Sequence, residues 1–246
     1  MARINSRNRI SGTLGNMVLK TVNQQTIVQS RPGKGTMKQT AATKASATDF
    51  GINSTNAKMM YMAQNSIVQH MADGTMAYRF RTATYQGVLA DTAAPKGQKQ
   101  LWNGDVSVLQ HFEFNVNSPY MQWVKVLPQI TYTAQREVQL VIPAFKAYES
   151  IQWLPRAQRA VLCYMVSAHH PTSFALVQQQ LLPITISGSN AVIAATTLQS
   201  NPILQQSLVV VSGVLWWYRD AAQVGSFCMN SKTCNPAMVL QSFKAL

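Results

Sequence analysis

Acidic residues are scarce in this chain, with eight Asp and Glu against 21 Lys and Arg in 246 residues. Paired-carboxylate chemistry therefore has few candidates. Asp49, Asp73 and Asp91 fall where helix ends are expected, a capping position, and Asp105 and Asp220 fall at strand ends. Glu113, Glu137 and Glu149 lie far apart in sequence. Charged residues of both signs make up 12%, about half the usual share. The surface must then be covered largely by Gln, Asn, Ser and Thr. Such a surface suits a subunit covered by copies of itself, because interface cores are poor in charge. It equally suits a polar soluble protein.

Cysteine is also rare. Cys163 sits in an apolar run and reads as a buried thiol, and Cys228 and Cys234 lack the spacing of a zinc pair. An odd count of three in a large chain points to a reducing compartment. Among the histidines, His70 and His111 are isolated, and His169-His170 before Pro171 reads as a solvated turn. Arg31-Pro32-Gly33-Lys34-Gly35-Thr36 lacks the upstream glycine of a P-loop and has glycine where the hydroxyl residue belongs. No cofactor, no metal and no catalytic residue is expected. No apolar run is long enough to span a bilayer. The opening MARINSRNRIS lacks the apolar core of a signal peptide. Synthesis in the cytoplasm is expected, with a final place in an assembled particle or filament outside the cell.

Positive charge, by contrast, is concentrated early. Residues 1–50 hold eight Lys and Arg against Asp49 alone, while the last 146 residues hold eight against five. Arg3, Arg7 and Arg9 form a basic arm, and Lys34, Lys38 and Lys44 follow the next segment. That segment, 10–32, predicts a hairpin with strands 16–22 and 26–30 joined at Asn23-Gln24-Gln25. Gly12 and Gly15 flank Thr13-Leu14 as a tight turn. Neither strand alone has a fully apolar face, which fits an edge or a contact between subunits.

Ser46, Thr48 or Asp49 can start a helix running to about Met71, and Asp73-Gly74 stops it. Thr75 can cap a second helix, 76–90, and 92–103 reads as a linker. Strands are predicted at 106–115, 120–127, 137–145, 160–168, 182–186, 191–198 and 207–219, with proline and glycine turns between them. The last of these is apolar on both faces and is expected to be central. The fold class is α+β, mainly β. It comprises an N-terminal β-hairpin arm (1–38), a helical hairpin and linker (39–103) and a C-terminal antiparallel β-sandwich (104–246), Ig-like or jelly-roll.

The stretch ISGTLGNMVLKTVNQQTIVQSRP resembles the N-terminal signature of an uncharacterised family of small β-rich proteins from Bacteroidota. Gly12, Gly15, Asn16, Val18, Val28, Arg31 and Pro32 carry the likeness. Where that family has an aromatic or glycine-rich turn, this chain has Asn23-Gln24-Gln25. The resemblance implies a C-terminal sandwich and no activity.

These features predict a non-enzymatic structural subunit that assembles with copies of itself into a filament, tube or virion component. Its interface is expected at Arg3, Arg7, Arg9, Gly12, Gly15, Asn16, Val18, Ile27, Val28 and Arg31. An outward Trp217 would add to it. The alternative partner is nucleic acid, bound or encapsidated through Arg3, Arg7, Arg9, Arg31, Lys34, Lys38 and Lys44. A third reading is a sandwich that binds carbohydrate or a surface through exposed tryptophan.

Overall fold

The computed structural model describes residues 2–4, 8–22, 25–31, 33, 38–221 and 225–246. Among them the chain is mainly β, with antiparallel sheets and five α-helices. It divides into two compact units, Met1–Lys44 and Ala45–Leu246. The boundary therefore falls beyond the expected 38/39 junction. The segments expected as separate helical and sandwich domains lie within one unit.

The first unit is a four-stranded antiparallel meander of β1 (Ala2–Ile4), β2 (Ile10–Leu14), β3 (Met17–Val22) and β4 (Gln25–Ser30). Two expectations change here. The start of the basic arm is itself a strand, because β1 pairs β2 through Ala2–Gly12, Arg3–Ser11 and Ile4–Ile10. The tight turn is Gly15-Asn16, since Leu14 pairs Met17 and Gly12 pairs Leu19. Gly15 takes φ +56°, which an L side chain adopts only with strain. The residues at 23 and 24, between β3 and β4, lie outside the described residues.

Helix α1 (Ala41–Ala63) begins at the end of the first unit and runs into the second. It is followed by α2 (Asn65–Val68), α3 (Met76–Leu89), α4 (Tyr120–Trp123), β5 (Gln129–Tyr132), β6 (Val138–Ile142), β7 (Phe145–Lys146) and α5 (Ala147–Ser150). Then come β8 (Arg159–His169), β9 (Leu176–Ile186), β10 (Val192–Ile193), β11 (Thr196–Gln199), β12 (Ser207–Ala221), β13 (Gly225–Cys228) and β14 (Ala237–Ala245). In the main sheet β12 pairs β8 on one side and both β14 and β13 on the other, and β9 lies beyond β8. A smaller sheet runs β11-β6-β5.

β12 is the central strand, as its sequence predicts, and its two faces serve two cores. Leu208, Val210, Val214 and Trp216 pack with Met60, Ile67 and Phe80 of the helices. Val209, Val211, Leu215 and Trp217 pack with Val138, Leu140 and Ile142 of β6. A strand buried on both faces reads as a continuous apolar run. The expected outward Trp217 is thus a correction: it is 0% exposed, Trp216 is 8%, and Trp217 meets the Trp123 ring edge-on at 5.1 Å.

Other expectations shift for local reasons. The 106–115 run is a 3-10 turn at Ser107–Leu109 and a short irregular pairing with β14, with His111 and Phe114 amides donating to Val239 and Ala237. The 120–127 strand begins as α4 and then bridges Val124 to Ile151. The first helix breaks at Gln64, which is buried. Its Nε2 donates to Ser167 Oγ (3.3 Å) and its Oε1 accepts from Ser212 Oγ (2.9 Å). Trp216 Nε1 donates to the Ile67 carbonyl at 3.1 Å, so the sheet holds the break. Thr75 makes no side-chain cap for α3; Asp73 instead accepts both the Thr75 amide and hydroxyl.

At one point α3 and the following loop touch backbone to backbone. The Asp105 amide donates to Gly87 O at 3.1 Å. A Cβ on Gly87 would lie 2.3 Å from Asp105 O, and one on Gly104 would lie 2.0 Å from Gly87 O. Overpacking of this kind costs about 1–3 kcal/mol. Gly87→Ala should lower Tm by roughly 2–12 °C in calorimetry, given ~2–4 °C per kcal/mol at this size. An unchanged Tm would mean that the two segments separate freely.

Candidate assembly interface

Each strand of the N-terminal meander has a mixed alternation, but the register sorts the sheet into two unlike faces. Pairing places Ile4 with Ile10, Leu14 with Met17, and Gly12 with Leu19 and Val28. Ile4, Ile10, Leu14, Met17, Leu19 and Val28 therefore share one face, with Ala2, Gly12, Thr21, Thr26 and Ser30 between them. No charged residue lies on it. Arg3, Ser11, Thr13, Val18, Lys20, Ile27 and Gln29 occupy the other. A sheet with one apolar face must cover it. Yet Ile4, Ile10, Leu14, Met17, Leu19 and Val28 are all at least partly exposed. Ile4 is 69% exposed, Leu14 58% and Val28 55%. Fully burying an aliphatic side chain contributes roughly 1.5–3 kcal/mol, so six of them are a large unmet stabilisation.

Among the described residues the β4 edge is also open. There β4 pairs only β3, and its six residues, QTIVQS, include no charge and no proline. The Arg31 amide donates to Asn16 O at 2.7 Å. Antiparallel ladders alternate, so residues 25, 27 and 29 face β3 while the amides of 26, 28 and 30 point to the free edge. Main-chain groups of this kind are a template for another strand.

The expected interface residues divide accordingly. Gly12 and Val28 lie on the apolar face, and Arg3, Val18 and Ile27 on the cationic one. Gly15 and Asn16 form the turn, Arg9 precedes β2 and Arg31 follows β4. Lys38 is exposed before α1 and Lys44 is exposed within its first turn. Arg7, Pro32 and Lys34 lie outside the described residues. Ile4, Ile10, Leu14, Met17 and Leu19 are additions, visible only once the strands are in register.

Several acids, with His169 and Cys163, are held in hydrogen bonds or buried in the core. Asp49, buried inside α1, accepts from the Gly97 and Lys99 amides at 2.8 and 3.1 Å. Asp91 accepts from the amides of Ala93, Ala94 and Gln100. Burial opposes the ionisation of Asp73, but bonds from Thr75, Val116 and Arg79 outweigh it and hold its pKa down at about 2. His169, expected in a solvated turn, is 0% exposed; its ring meets Phe174 O at 3.0 Å and Ser167 Oγ at 3.1 Å. Burial lowers its pKa to about 4, against the pull of the Phe174 carbonyl. The buried Cys163 thiol is pushed up to about 11 by desolvation. Among the described residues, no three His, Cys, Asp or Glu converge as a metal would require, and no helix is long and apolar enough to cross a membrane.

No protein-family model matches the chain, and no curated protein or solved structure matches it either.

Glu113 is the acid most displaced upward. Burial raises its pKa to about 7, opposed by the Tyr120 amide and the Arg79 charge. Its contribution to stability is present in full below the ordinary value of 4.5 and is lost as pH rises through about 7. Glu113→Gln should therefore melt above the parent protein at pH 8 and level with it at pH 4. Parallel melting curves across that range would show that the carboxyl is solvated.

Proposed function

We propose that this chain is a non-enzymatic structural subunit that assembles with copies of itself into a homopolymer, as a filament, tube or virion component, through its N-terminal sheet. The observation that carries this reading is the uncovered apolar face of β1–β4, beside the open, uncharged β4 edge. Strand addition at such an edge supplies main-chain hydrogen bonds that fix orientation between identical subunits. In this reading 104–246 serves as a sandwich-like body, Ig-like or jelly-roll, with its strong sheet contacts kept inside the subunit.

A second reading, an encapsidating or nucleic-acid-binding coat, draws on eight cations in the first 44 residues with no acid among them. The third reading, a sandwich that binds carbohydrate or a surface through exposed tryptophan, gains no support from Trp217, which is buried.

Sedimentation of the full chain tests the proposal. Thr26→Pro removes an edge-facing amide from β4, a substitution that an edge position tolerates. It should raise the protein concentration at half-assembly at least about tenfold, equivalent to ~1.4 kcal/mol. A parent protein that stays monomeric at every concentration would sink the reading. Assemblies with a high 260-to-280 nm absorbance ratio, and a log–log salt slope of about 0.7 to 0.9 per phosphate contact, would support the coat instead.

A further inference from the structure

The apolar face of the N-terminal sheet has relief as well as polarity. Its residues fall into three rows across the four strands. The middle row reads Ala2, Gly12, Leu19, Val28 from β1 to β4. It is small on the β1–β2 side and large on the β3–β4 side. The neighbouring row, Ile4, Ile10, Thr21, Thr26, reverses this, with its large pair on β1–β2. The third row opposes Leu14 and Met17 across the turn.

This pattern is self-complementary. Consider a two-fold axis parallel to the strands, midway between two such faces and passing between β2 and β3. It lays β2 of a second copy on β3 of the first, and β1 on β4, with rows level. Gly12 then meets Leu19 of the second copy, Ala2 meets Val28, Ile4 meets Thr26 and Ile10 meets Thr21. Each large side chain in these two rows opposes a small one, the interdigitation that sheets stacked about 10 Å apart require. Leu14 meets Met17, whose unbranched chain adapts to its neighbour. Aligned sheets cross at about 30°, a rotation that displaces positions near the axis least. The opposite face cannot make this contact. It carries Arg3 and Lys20, and residues 1–44 contain no acid to offset them.

We propose that the partner of the apolar face is the same face of a second copy, forming an isologous two-fold pair. This rests on the assembly reading and names the contact that β4 edge pairing alone leaves uncovered. Two interfaces, one through the face and one through the edge, also give the propagation that a homopolymer requires.

Thiol cross-linking in the full chain tests it with the double variant Ile4→Cys/Thr26→Cys. Within one copy these positions lie on the two outer strands, three strand spacings or about 14 Å apart. The two-fold pair brings each cysteine opposite its counterpart in the other copy, across the ~10 Å between stacked sheets. That gap exceeds the roughly 7 Å between Cα atoms that a disulfide spans, so the bridge is a short bis-maleimide. A bridge inside one chain leaves a single chain on a denaturing gel, and a bridge between copies gives a dimer. Treatment should convert most of the protein to a covalent dimer. The control Arg3→Cys/Gln25→Cys, on the cationic face, and the parent protein with Cys163, Cys228 and Cys234 should remain single chains. Leu19→Lys should, in addition, lower the sedimenting mass by half or more, whereas Ile27→Lys on the other face should not. If Ile4→Cys/Thr26→Cys cross-links no better than the control while the protein still sediments as an assembly, the face-to-face pair is wrong and the edge contact stands. A parent protein that is monomeric throughout removes both.

Discussion

Coverage of both faces of β12 is the constraint on which the second unit depends. A strand running Leu208 to Trp217 with hardly a polar residue must be sealed above and below. The helices seal the side of Leu208, Val210, Val214 and Trp216, and β6 with its neighbours seals the side of Val209, Val211, Leu215 and Trp217. The polar residues on the strand are placed with care. Ser212 bonds Gln64 at the helix break, and Gly213 leaves room for the Tyr120 ring, whose hydroxyl would lie 2.8 Å from an added Cβ. One strand therefore determines where the helices dock and where the first helix breaks.

The few acids follow from the same economy of charge. Asp49, Asp73, Asp91 and Asp105 each accept at least one backbone amide, and Glu113 accepts the amide that opens α4. A carboxylate accepting several amides outlasts burial because each bond favours its charged form. Loops that lack a strong secondary structure of their own are thereby tied to the core, as Asp49 ties 97–99 and Asp91 ties 93–100. Carboxylates held in this way are poor candidates for acid–base work.

How much of this the sequence discloses depends on whether a segment meets its partner locally. β8 and β12 are legible because unbroken apolar runs identify strands buried on both faces. β14 is not, since a bulge opposite Val211 and Ser212 inserts an extra residue and breaks the alternation of AMVLQSFKA. YMQWVKVL alternates like a strand, yet its first residues turn as α4 where the Glu113 carboxylate receives the Tyr120 amide. Trp217 is misread for a different reason: strand alternation shows that two neighbouring tryptophans face opposite ways, but not that both faces are covered. The apolar N-terminal face is hidden in the sequence too, because it is assembled from alternate residues of four strands whose register depends on turns.

The contrast between the two units bears most on function. Among the described residues the second unit also has an outer strand, β9, paired only with β8. That strand is interrupted by Pro183, and its side chains are tied to the 201–202 turn, where the Asn201 amide donates to Gln180 Oε1 and Gln178 Nε2 donates to Pro202 O. Proline is a usual means of keeping a sheet edge from pairing with a neighbour. β4 has no proline and no charge along its six residues, and the face behind it is apolar and exposed. Among the described residues β9 thus carries an edge-protecting proline, whereas the N-terminal sheet is open at both edge and face. A shortage of protective residues would leave both exposed, so the asymmetry favours an N-terminal sheet shaped to be completed by another copy.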